Sequence, residues 1–84
     1  MKKYCIIGTG RQGTAAAYDL LRFAKIHTLV LIDSNSKSIS RCLEKIENLK
    51  KKVIIKTHII DINDTKMITK HLMDCDIFLS SVPY

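Results

Sequence analysis

The stretch Lys3-Tyr4-Cys5-Ile6-Ile7-Gly8-Thr9-Gly10-Arg11-Gln12-Gly13 decides how the rest of the chain is read. Its opening, Lys3 to Ile7, is β-prone and mostly apolar, and it stops at Gly8 as a buried parallel strand stops at a turn. From Arg11 the pattern changes to helical spacing, with Gly13, Ala17, Leu20 and Ala24 recurring at intervals of three and four. The glycines thus lie between a strand and a helix. Gly8 allows the tight turn, Gly10 keeps a Cβ out of the path of a pyrophosphate, and Gly13 lets the helix pack close to the strand. A negative ligand there would meet free N–H groups and the positive end of the helix. A bare GxGxxG arises by chance, and a glycine turn can do no more than join two elements. Here it follows an apolar strand directly and opens a helix, so phosphate binding is the expectation, with Gly8, Gly10, Arg11, Gln12 and Gly13 as contacts.

Working outward, Thr28 to Ile32 is a second short apolar run, ending at Asp33 and followed by the turn-and-cap cluster Ser34-Asn35-Ser36. Ile39, Cys42, Leu43, Ile46 and Leu49 fall on one helical face, with Lys37, Arg41, Glu44, Lys45 and Glu47 on the wet side. Val53 to Ile60 is strand-like. Asn63 or Asp64 can cap a third helix whose apolar stripe takes in Met67, Ile68, Leu72 and Cys75, and Asp76 to Ser81 gives a fourth strand. Strands alternating with helices imply right-handed crossovers and a parallel sheet. The expectation is an α/β fold: a Rossmann-type nucleotide-binding half, residues 1–84, with about four strands in the order 3-2-1-4 and three helices. The 84 residues, 46% of them hydrophobic, suffice for one small core and no more.

Asp33 lies 20 residues after Gly13, where an acidic side chain at the carboxyl end of the second strand can accept hydrogen bonds from both ribose hydroxyls. It should also repel a 2′-phosphate, which favours NAD over NADP, although Lys37 and Arg41 nearby soften the discrimination. The bland alternative is a helix-capping aspartate with no ligand, for which Asn35 and Ser36 compete. The other strand ends, Ile60-Asp61-Ile62 and Ser80-Ser81-Val82-Pro83, should open onto the same crevice, so Asp61, Ile62, Ser80, Ser81 and Val82 join the candidate cofactor contacts. Asp61 would reach the adenine side or, equally, form part of the third helix's cap.

The net charge of +6, from 14 Lys and Arg against 8 Asp and Glu, eases contact with polyanions. Its densest run, Lys50-Lys51-Lys52, falls where the second helix should end and cations complement the helix dipole. No aromatic residues interleave with it as a base-stacking platform would require, so nucleic acid is not an expected partner. Cys5, Cys42 and Cys75 form neither a disulfide framework nor a CxxC motif and read as small buried hydrophobes. His27, His58 and His71 show no metal-ligand spacing and read as surface or packing residues. No run approaches a membrane span, and the apolar stretch after Lys3 is too short for a signal peptide, so a soluble cytoplasmic protein is expected. No catalytic constellation is visible.

The segment Ile7 to Leu20, IGTGRQGTAAAYDL, resembles the opening of the saccharopine dehydrogenase family, in particular its lysine 6-dehydrogenase-like branch. Leu31-Ile32-Asp33, Ile60-Asp61-Ile62-Asn63-Asp64 and Asp76-Ile77-Phe78-Leu79-Ser80-Ser81-Val82-Pro83-Tyr84 resemble that family's strand ends in the right order. The resemblance implies an NAD(P)-dependent oxidoreductase acting on the amine of an amino acid such as lysine. Members of the family are several times longer and carry their substrate-binding region after the segment matched here, so binding without turnover is expected of these residues alone. A homodimer through the open fourth-strand edge is a further expectation. The competing reading is a ligand-sensing module similar to the nucleotide-binding domains that regulate potassium transport, binding NAD or ATP. Arg11-Gln12-Gly13-Thr14 with Ser81-Val82-Pro83-Tyr84 suits the dehydrogenase better.

Overall fold

The computed structural model describes residues 2–23, 25–49 and 53–81; Met1, Ala24, the run Lys50 to Lys52, and Val82, Pro83 and Tyr84 lie outside the described residues. Four strands and three α-helices alternate: β1 (Lys3–Ile7), α1 (Arg11–Phe23), β2 (Thr28–Asp33), α2 (Ser36–Ile46), β3 (Ile54–Ile59), α3 (Thr65–Leu72) and β4 (Ile77–Ser80). All pairings are parallel, and the strand order is β3-β2-β1-β4, as the sequence predicts. Cys5 of β1 stands between Val30 of β2 and Phe78 of β4.

Alternation along the two central strands divides the core. Ile6, Leu29 and Leu31 face Ala17 of α1 and Cys42 and Ile46 of α2. Cys5, Ile7, Val30 and Ile32 face the opposite way, against Ile60 and Ile68, with Leu72 and Cys75 packed at the margin. Every residue of β2 is buried, because the strand is flanked by strands on both edges and covered on both faces. Each fully buried Leu or Ile there contributes about 1.5–3 kcal/mol. The outer strands differ: all four residues of β4 are exposed, with Phe78 at 54%, and among the described residues β4 pairs on one edge only. Among the described residues, no helix is long and apolar enough to cross a membrane.

Three details depart from the sequence expectation. The second helix ends at Ile46 and the chain continues as a 3₁₀ turn over Glu47–Leu49, so Leu49 is not part of the α-helical face. Met67 is exposed, because Ile68, Leu72 and Cys75 alone follow the line of α3 turned to the sheet and Met67 sits one position off it. Cys75 is only half-buried, whereas Cys5 and Cys42 are fully enclosed. The helix starts agree: Asn35 Oδ1 accepts from the N–H groups of Lys37 (2.9 Å) and Ser38 (3.3 Å), and Asp64 Oδ1 accepts from Met67 N–H at 3.2 Å.

Candidate functional site

The glycine loop is suspended between β2 and β4. Gly8 takes φ 91°, the left-handed region that glycine alone adopts without strain, and its N–H donates to Ile32 O at 2.7 Å. Thr9, 2% exposed, donates through its N–H (2.8 Å) and its hydroxyl (2.9 Å) to Asp33 Oδ2. From the other flank Ser81 Oγ donates to Gly8 O at 2.8 Å, and Ser81 N–H donates to Ile7 O at 2.9 Å. Thr14 N–H then donates to Gly10 O at 2.8 Å, which closes the first turn of α1. Among the described residues no side chain caps α1, in contrast to α2 and α3, so the N–H groups of its first turn are left for solvent or a ligand.

The glycines of the loop are required for different reasons. A Cβ on Gly13 would strike the carbonyl of Gly8, standing 2.8 Å from its carbon and 3.0 Å from Ser81 Oγ, so the close approach of α1 to the end of β1 demands glycine. Gly10 has no such demand. It is exposed, its φ is not positive, and a Cβ there would meet nothing within 4 Å.

Asp33 is 9% exposed and turned toward the loop. Burial would raise its carboxyl pKa. The N–H groups of Thr9 and Asn35, the Thr9 hydroxyl and the Ser34 N–H outweigh that and hold it below the ordinary 3.8. Asn35 N–H reaches Oδ1 at 2.9 Å. Of the two roles weighed for it, the carboxylate thus takes part in the entry to α2, and it adds one that sequence position did not suggest, tethering the glycine loop. Ser81 ties β4 to the same loop through its side chain, whereas Ser80 is an exposed member of β4. Arg11 and Gln12 are exposed at the start of α1. Asp61 Oδ1 accepts from Asn63 N–H at 2.9 Å in a local turn, and neither Asp61 nor the half-buried Ile62 bonds to the loop among the described residues. Val82 lies outside the described residues.

A cavity of about 670 Å³ opens at Thr9 and Gly10 and runs between α1 and α2, where Arg11, Ser38, Arg41 and Lys45 line it. Ser38 and Lys45 were not singled out by sequence; the signal available was their helical spacing with Arg41, which puts the three on one face of α2. Lys37, which the sequence pairs with Arg41 near Asp33, does not line this cavity. Sequence spacing also gave no hint that the imidazoles of His58 on β3 and His71 on α3 stack, with centroids 4.1 Å apart, because the contact joins a strand to a helix. Burial, His71, Lys56 and Lys3 together lower the His58 pKa. Burial, with Cys75 alongside, pushes the Cys5 thiol up to about 12, which keeps it protonated and apolar.

No protein-family model matches the chain, and no curated protein matches it.

Proposed function

We propose that this chain is a dinucleotide-binding domain whose glycine loop takes the pyrophosphate of an NAD-type cofactor. The observation that carries the reading is Gly10. Neither backbone conformation nor packing requires glycine there and its place before α1 favours glycine over alanine only mildly, whereas a phosphate resting on the uncapped first turn of α1 needs the space a Cβ would take. Asp33 and Ser81 support the same reading, because they hold the loop rigid from both sides and lower the ordering cost of binding. The likeness of IGTGRQGTAAAYDL to the saccharopine dehydrogenase family supports placing the domain in an oxidoreductase that acts on an amino-acid amine such as that of lysine. The nicotinamide would supply the hydride chemistry, and the residues described here would bind and orient the adenosine and pyrophosphate portion.

Calorimetric titration with NAD and ATP in parallel, at low and moderate salt, tests this. Saturable one-to-one binding of NAD that survives moderate salt, ahead of ATP, is expected. Preference for ATP would point instead to a nucleotide-sensing module. Absence of binding to either, or binding abolished by modest salt as for a non-specific polyanion contact, would overturn the reading.

A further inference from the structure

We infer that the groove between α1 and α2 receives a phosphate carried on the adenosine ribose, so that the domain holds NADP in preference to NAD. This rests on the dinucleotide reading above and names the cofactor for the same site. The cavity starts at the loop itself, at Thr9 and Gly10, and its volume of about 670 Å³ falls within the range typical of small-molecule sites, about 300–1,000 Å³. Arg11, Arg41 and Lys45 line it against a single carboxylate, Asp19, leaving a surplus of positive charge in the groove that opens at the glycine loop. Arg41 donates through Nε to Lys37 O at 3.4 Å, which leaves the remaining guanidinium N–H groups for a bidentate contact with phosphate oxygens. Ser38 offers a hydroxyl one turn away on the same face of α2.

Asp33 is the group expected to exclude a 2′-phosphate, and its placement weakens that role. Its oxygens accept from Thr9 N–H, Thr9 Oγ1 and Asn35 N–H, it is almost wholly buried, and it does not line the groove. The negative charge is held inward by the loop, while the cations face the cavity.

The test uses four ligands on the purified chain at moderate salt: NAD, 5′-AMP, ADP and adenosine 2′,5′-bisphosphate. The bisphosphate should bind at least tenfold more tightly than 5′-AMP. ADP carries its second phosphate on the 5′ chain instead, so any gain it shows belongs to the glycine loop and should survive R41Q/K45Q. In the double variant R41Q/K45Q, both substitutions lying on the exposed face of α2, the ratio between the bisphosphate and 5′-AMP should fall toward one. A gain for ADP that is lost in R41Q/K45Q together with that of the bisphosphate would mean general attraction of anions to a basic surface and would overturn the inference. So would a bisphosphate no tighter than 5′-AMP, or a ratio unchanged in the double variant. If NAD binds in those cases the dinucleotide reading survives alone; if none of the four binds, both fall.

Discussion

Exchanging Gly10 and Gly13 for alanine, one at a time, separates what the fold requires from what the ligand requires. In Gly13→Ala the new methyl is driven into the Gly8 carbonyl, with Gly8 C at 2.8 Å and Ser81 Oγ at 3.0 Å. The first obstacle is backbone and cannot swing away, and Ser81 is itself committed to Gly8 O. Overpacking of this kind costs about 1–3 kcal/mol. The collision is with backbone, so the upper end of that range applies; after the roughly 0.4–1 kcal/mol that alanine removes from the unfolded chain about 2 kcal/mol of loss remains, and at about 4–8 °C per kcal/mol Tm should fall by about 8 °C or more. In Gly10→Ala nothing lies within 4 Å of the new methyl, and two small effects oppose each other. Alanine removes about 0.4–1 kcal/mol of unfolded-chain entropy, and it is the poorer residue at a helix N-cap by some tenths. The net change in Tm should stay within about 4 °C. Binding should respond the other way: Gly10→Ala should weaken NAD at least tenfold, or about 1.4 kcal/mol, because the methyl occupies the ligand's path. Thermal unfolding followed by circular dichroism, paired with calorimetry on the same preparations, reads both quantities. A Gly10→Ala variant with wild-type Tm and wild-type NAD affinity would refute the argument that this glycine exists for a ligand.

Two further outcomes follow from titratable groups. Asp33→Ala removes the acceptor for two Thr9 donors buried in the loop, and unfolding should show a loss of about 1–3 kcal/mol; an unchanged midpoint would mean the tether does not stabilise the loop. Because the folded pKa of Asp33 lies below the ordinary 3.8, its contribution is fully present above 3.8 and is lost as pH falls through the folded value. The wild type should therefore lose more stability than Asp33→Ala below 3.8, as acid titration of the midpoint would detect. His58 behaves with the same sign for a different reason. Its folded pKa lies below the ordinary 6.5, so the unfolded chain takes up the proton first and stability falls as pH drops below 6.5. His58→Gln should flatten that slope; an identical pH profile would show that the stacked imidazoles do not couple to folding.

What the sequence made legible was local or periodic. The apolar runs at Lys3 to Ile7 and Thr28 to Ile32, the turn residues after each and the helical stripe of Ile39, Cys42 and Ile46 suffice to place the elements, and the glycine fingerprint after the first strand supplies the expected order of the sheet. Asn35 and Asp64 were visible as caps because capping acts within three residues. The rest depends on where side chains point across elements. Position alone made Asp33 a residue facing the ribose, and only the geometry reveals that Thr9 turns it inward. Ser81 likewise reads as a crevice residue until its hydroxyl is found on Gly8 O, 73 positions away along the chain. The groove between α1 and α2 is a tertiary feature of the same kind, since Arg11 and Arg41 come together only when the two helices pack.

The same cross-links tie the site to the exposed strand β4. Two of the three anchors of the glycine loop come from β2, every residue of which is buried, through Ile32 O and Asp33. The third comes from Ser81, at the end of a strand whose residues are all exposed and which has a neighbour on one edge only. Fraying of β4 would release Gly8 O while leaving Thr9 held by Asp33, so the loop would loosen on the side of Gly13 and keep its shape on the side of the groove. Anything that pairs with the free edge of β4 stabilises the Ser81 contact as well, and through it the first turn of α1 on which the pyrophosphate is proposed to rest. Edge pairing and ligand binding should then favour one another by linkage, because each stabilises the arrangement the other needs.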